Sequence, residues 1–105
     1  MSFRHILPST FALTLAITAP AFAADHAVEI QGMKFSVPAL EVAVGDTVTF
    51  TNLDGAPHTA TATDGTFDAG RLAKGESATI TISQAGTFDY FCAVHPMMKA
   101  SVIAE

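Results

Sequence analysis

Thr47-Val48-Thr49-Phe50-Thr51 alternates without a break, threonines on odd positions and Val48 and Phe50 on even ones. Successive side chains of a β-strand point to opposite faces, so this stretch reads as a strand with one buried and one solvated face. The pattern recurs at Ala39–Val44, where the larger apolar residues are even-numbered, and at Ala78–Ser83, where Thr79, Thr81 and Ser83 alternate with apolar residues. His58–Thr63, Thr87–Cys92 and Ala100–Ala104 are three further candidates. Turn residues separate them: Gly45-Asp46, Asn52-Leu53-Asp54-Gly55, Asp64-Gly65, Lys74-Gly75 and Ala85-Gly86. No stretch carries a convincing 3.6-residue apolar period, and β-branched residues dominate the periodic ones. Short strands at this spacing predict an all-β fold, an antiparallel sandwich.

The chain has 105 residues, which allows one domain. Residues 1–23 read as a signal peptide. Arg4 and His5 form a basic start, Phe11–Ala19 is apolar, Pro20 breaks the run, and Ala21-Phe22-Ala23 gives a small-x-small cleavage pattern. The apolar run is too short to span a bilayer and no second one follows, so no stable membrane insertion is expected. The expectation is a periplasmic protein cleaved after Ala23, with residues 24–105 as its domain.

A domain of about 80 residues buries a thin core, and small exported domains usually add disulfides. One cysteine, Cys92, cannot form one internally. A metal becomes the leading substitute. Once Arg4 leaves with the leader, Lys34, Arg71, Lys74 and Lys99 face ten acidic residues. That balance argues against nucleic acid as a partner, because phosphate contacts need clustered Lys and Arg.

Cys92 lies in Tyr90-Phe91-Cys92-Ala93-Val94-His95-Pro96-Met97-Met98. The strand pleat puts Cys92 on one face with Phe88 and Tyr90, aimed at the interior. A thiolate and a thioether are soft donors and an imidazole is borderline, a set that suits both common oxidation states of copper. Cysteine, two histidines and a weak axial methionine make a blue electron-transfer site. The loop supplies Cys92, His95 and a methionine, Met97 or Met98. A second histidine comes from elsewhere, and His58, after Pro57 where a strand restarts, is better placed than His26.

On these residues the chain resembles the cupredoxins, and its short ligand loop is similar to the amicyanin-like type. The matching pieces are Val44-Gly45-Asp46-Thr47-Val48, Asn52, Pro57-His58, Gly86-Thr87-Phe88-Asp89-Tyr90 and Cys92-x-x-His95-Pro96-x-Met98. They lie within residues 28–104. The resemblance implies a Greek-key β-sandwich with one type 1 copper held by His58, Cys92, His95 and Met98, leaving Met97 as an apolar surface residue. It implies a single-electron carrier between redox proteins, such as a dehydrogenase and a c-type cytochrome. Pro57, Pro96 and Met97 would form an apolar rim around His95.

Two positions depart from the family pattern. Thr59 stands where asparagine often ties the two ligand loops together, and Ala93 has no side chain to return such a bond. Val94 stands where proline is usual, which leaves an N–H to donate to the Cys92 sulfur and raise the reduction potential.

Cleavage after Ala23 would also expose Ala24-Asp25-His26. An amine, two backbone nitrogens and an imidazole can wrap Cu(II) in a square plane, so a second Cu(II) is expected in excess metal.

The function expected is electron transfer by a monomer that is not an enzyme. A copper carrier that hands on Cu(I) through His95, Met97 and Met98 is the alternative. Cys92 and His95 could in principle serve as nucleophile and base, but no oxyanion or substrate feature accompanies them.

Overall fold

The computed structural model describes residues 22–105. Residues 1–21, and with them nearly all of the expected leader, lie outside the described residues. Seven strands and no helix occupy the described part: β1 (Asp25–Ile30), β2 (Ala39–Val42), β3 (Thr47–Asn52), β4 (Thr61–Ala62), β5 (Ser77–Thr81), β6 (Gly86–Phe91) and β7 (Lys99–Ala104). One sheet has the order β1-β3-β5 and the other β2-β7-β6-β4. The all-β sandwich expected from the alternation is therefore present.

The connections decide where the site can form. Each one from β1 to β6 crosses between the two sheets, so consecutive strands are not neighbours. Strands β6 and β7 are the exception, a hairpin with Tyr90 opposite Ala100 and Phe91 opposite Lys99. The loop closing this hairpin, Cys92–Met98, is the one that carries the candidate ligands.

Crossing over and back also sets strand direction. Strand β3 returns to the sheet of β1 running the same way, and β2 lies parallel to β7. The other three ladders are antiparallel, so the sandwich is mixed rather than purely antiparallel.

The alternating residues meet between the sheets. Val28 and Ile30 of β1, Val48 and Phe50 of β3, Phe88 and Tyr90 of β6, and Val102 of β7 are all buried. The Tyr90 ring lies 4.7 Å from that of Phe35, 5.4 Å from Phe50 and 5.7 Å from Phe67, the first two edge-on. Burying each such side chain contributes on the order of 1.5–3 kcal/mol, enough for a small core to hold the hairpin in place.

Two elements differ from the sequence expectation. Asp25–Ile30 forms a strand, its whole length paired to β3. The strand expected over His58–Thr63 shrinks to Thr61–Ala62, with single bridges from His58 to Leu72 and from Thr61 to Asp68. Among the described residues no helix is long and apolar enough to cross a membrane.

Candidate metal centre

The segment after β3 is shaped by Asn52, whose side chain is completely buried. Its amide donates to the carbonyls of Ala56 and Leu72, both at 2.9 Å, and its Oδ1 accepts the Asp54 N–H at 2.9 Å. These bonds fold Leu53–Pro57 into a tight turn and deliver His58 to the end of the sandwich. There the bridge to Leu72 fixes its backbone through two hydrogen bonds.

The hairpin loop delivers the other donors. The Cys92 N–H donates to the Met98 carbonyl at 3.1 Å and the Met98 N–H to the His95 carbonyl at 2.9 Å. Cys92 is fully buried and Met98 is 4% exposed, whereas Met97 is 85% exposed. The packing thus separates the two methionines, one inward and one on the surface.

Three donor atoms converge. His58 Nδ1 lies 3.6 Å from Cys92 Sγ, His95 Nδ1 lies 3.9 Å from it, and the two nitrogens are 3.2 Å apart. A point equidistant from all three lies about 2.1 Å from each, which is metal–ligand distance for nitrogen and close to it for sulfur. Among the described residues this is the one cluster of three or more His, Cys, Asp or Glu donors close enough to share an ion. The donor set fits copper.

Hydrogen bonds prepare the donors. His58 Nε2 is 2.9 Å from Asp54 Oδ2. A proton kept on Nε2 by that carboxylate leaves the Nδ1 lone pair directed at the other two donors. Burial of Cys92 opposes ionisation, but the Thr59 N–H, the His58 ring and the backbone and ring of His95 outweigh it. Together they bring the thiol down to about 6. That shift favours the thiolate, the form that binds metal.

Thr59 does the tying that its short side chain left open in the sequence. Its N–H donates to Cys92 Sγ at 3.3 Å, and its Oγ1 accepts the Ala93 N–H at 2.7 Å. The bond between the two loops is therefore made from threonine side chain to alanine backbone. The amide of Val94 makes no hydrogen bond to the sulfur, so the potential-raising contact expected there is absent; the Thr59 N–H donates to it instead.

A cupredoxin-like domain model matches residues 5–104. The chain belongs to the cupredoxin family. Amicyanin from Paracoccus denitrificans is 40% identical over 83 residues, a match covering 74% of this chain and 63% of that protein's length. Amicyanin-alpha from Methylorubrum extorquens is 29% identical over 92% of both chains. A solved Cu(I) form of an amicyanin variant superposes with a TM-score of 0.73 at 35% identity, over 83% of this chain and 88% of that one. The same fold is found inside a larger protein: a copper-containing nitrite reductase from Thermus scotoductus matches at TM-score 0.72 and 30% identity, over 77% of this cupredoxin but 22% of that chain.

His26 is not part of the centre. It lies in β1 opposite Val48, near the start of β3, while the centre lies beyond the end of β3. Its Nε2 is 2.9 Å from Asp46 Oδ2, the Ala24 N–H donates to Asp46 Oδ1, and Asp25 pairs with Thr47. Ala24, Asp25 and His26 thus run along the start of β3, with Asp46 as the polar partner of the first and third. Sequence reasoning missed the part played by Asp54, read only as a turn residue. The signal available was its position four residues before His58.

Proposed function

We propose that this cupredoxin carries single electrons between redox proteins, using a copper ion held by His58 Nδ1, Cys92 Sγ and His95 Nδ1, with Met98 as a weaker fourth ligand. The observation that carries the reading is the donor triangle, which stands at binding distances with its bonds to Asp54 and Thr59 in place. Bound copper supplies a Cu(II)/Cu(I) couple. The residues keep the geometry tolerable to both states, because ligands that need not move between them keep the reorganisation cost small.

Burial of His58 and Cys92 excludes water from that side, whereas His95 is partly exposed and offers the exit for the electron. Met97, Pro96 and the half-buried Pro57 rim that edge and suit docking of a redox partner, the dehydrogenase and c-type cytochrome of the family resemblance being the candidates. We further read residues 1–23 as a leader cleaved after Ala23, and the protein as a periplasmic monomer that carries electrons rather than turning over a substrate.

Copper-loaded protein is expected to show an intense absorption towards the red end of the visible spectrum, from charge transfer between thiolate and Cu(II), and to lose it on His58→Ala. Pale Cu(II)-loaded protein, or colour that survives His58→Ala, would defeat the reading. A colourless protein that takes up Cu(I) alone would favour a copper carrier.

A further inference from the structure

Asp46 is a buried carboxylate outside the metal centre, and electron transfer gives it no role. It sits in the turn between β2 and β3, where Gly45 adopts a φ of 96° that favours glycine. Its Oδ2 accepts the Ala43 N–H at 2.9 Å and meets His26 Nε2 at 2.9 Å. Its Oδ1 accepts the backbone N–H of Ala24, also at 2.9 Å. Its own carbonyl accepts the N–H of Ile82, just past β5. Ala24 N is the atom that cleavage after Ala23 would turn from an amide into an amine. Phe22 and Ala23 are exposed and outside any strand, so the fold does not depend on them.

We propose that Asp46 is the binding site for the protein's own mature amino terminus, so that leader removal completes an ammonium–carboxylate–imidazole cluster at this end of the sandwich. The proposal rests on cleavage after Ala23. In that hydrolysis water adds across the Ala23–Ala24 peptide bond. Ala23 departs as a carboxylate, and Ala24 N carries the added protons as an ammonium at neutral pH. A cation then replaces a neutral donor on the same oxygen without any strand movement. Charge-assisted hydrogen bonds are roughly twice as strong as neutral ones.

The surroundings favour a cation. Glu41, Asp46 and Glu105 line a cavity of about 330 Å³ together with His26, and among the described residues no lysine or arginine lines it. The adjacent Asp25 is engaged by the hydroxyls of Thr47 and Thr49. The same cluster withholds the amine from the Cu(II) chelate that the tripeptide would otherwise form.

An ammonium paired only in the folded state has a raised folded pKa. Its contribution is complete below the unfolded value of about 7.7–8.0 and is lost as pH rises through the folded value.

The test compares a chain beginning at Ala24 with one carrying a single added glycine before it, which displaces the ammonium. At pH 7 the first is expected to melt several degrees higher. The gap should close at alkaline pH and be absent when both chains carry Asp46→Asn. Equal melting at pH 7, or a gap that survives Asp46→Asn, overturns the proposal. If Asp46→Asn does not fold, an NMR titration of the Ala24 amine in the unsubstituted chain decides. A midpoint above about 8 supports the pairing, and one at or below it refutes the pairing. Neither readout uses copper colour, so failure of the electron-transfer reading leaves both intact. Intact mass of the exported protein checks the cleavage itself, and a start elsewhere than Ala24 removes the proposal with it.

Discussion

The buried ring of His58 and the carboxylate of Asp54 form a hydrogen-bonded pair, Nε2 to Oδ2 at 2.9 Å. Asp54 is held in turn by the backbone N–H groups of Gly32 and Met33, at 2.8 and 3.0 Å. Both of those residues have positive φ, 63° and 60°, so their N–H groups converge into a small anion-binding nest. Those two N–H groups, and then His58, hold the Asp54 carboxyl below its ordinary pKa. The loop after β1 thereby orients a ligand through two steps of hydrogen bonding.

Removing the charge of Asp54 should weaken the centre and shift its potential. A carboxylate on Nε2 makes the imidazole a better donor and favours the more highly charged Cu(II). Asp54→Asn is expected to lower Cu(II) affinity by about 10- to 100-fold and to raise the reduction potential. Chelator competition and voltammetry measure the two effects. An unchanged potential would show that Asp54 only shapes the turn.

Thr59→Val tests the tie between the loops. Valine keeps the shape but cannot accept the Ala93 N–H, which would lose its 2.7 Å bond. Leaving a partly buried donor unmet costs on the order of 1–3 kcal/mol, read as lower thermal stability. Copper release should quicken as the Cys92 loop loosens. Stability equal to that of the parent protein would show that solvent replaces the bond at no cost.

The two methionines should respond differently. Met98→Ala is expected to alter the visible spectrum and the potential, while Met97→Ala leaves both in place, because Met98 is buried and Met97 is 85% exposed. The opposite result would hand the fourth position to Met97.

Acid should expose the contribution of Asp46. The His26 side chain, then the Ala43 and Ala24 N–H groups, depress its pKa from 3.8 to about 2. A carboxylate with a depressed folded pKa contributes stability that is present above the unfolded value and lost as pH falls through the folded one. The melting gap between the parent protein and Asp46→Asn should therefore be steady between about pH 5 and pH 7 and shrink between about pH 4 and pH 2. A gap constant across that range would mean that the carboxylate charge contributes nothing.

Much of the centre was legible in the chain because its chemistry is local. Cys92, His95 and Met98 lie within one hairpin loop, so donor type and spacing can be read without a fold. The inward aim of Cys92 follows from the pleat it shares with Phe88 and Tyr90. Strand β1 was harder to see, since Val28 and Ile30 offer only two turns of alternation, and pairing with β3 makes the strand.

Covalent order thus determined the alternation that builds a sandwich, the soft donors, and the single thiol that rules out an internal disulfide. Tertiary structure brought His58 rather than His26 to face Cys92, buried Met98 and not Met97, and alone decided that Asp54 and Thr59 support the donors. Those choices turn on contacts between segments up to 37 residues apart, as between His58 and His95. Chain crossings between two sheets create such contacts, and no local periodicity records them.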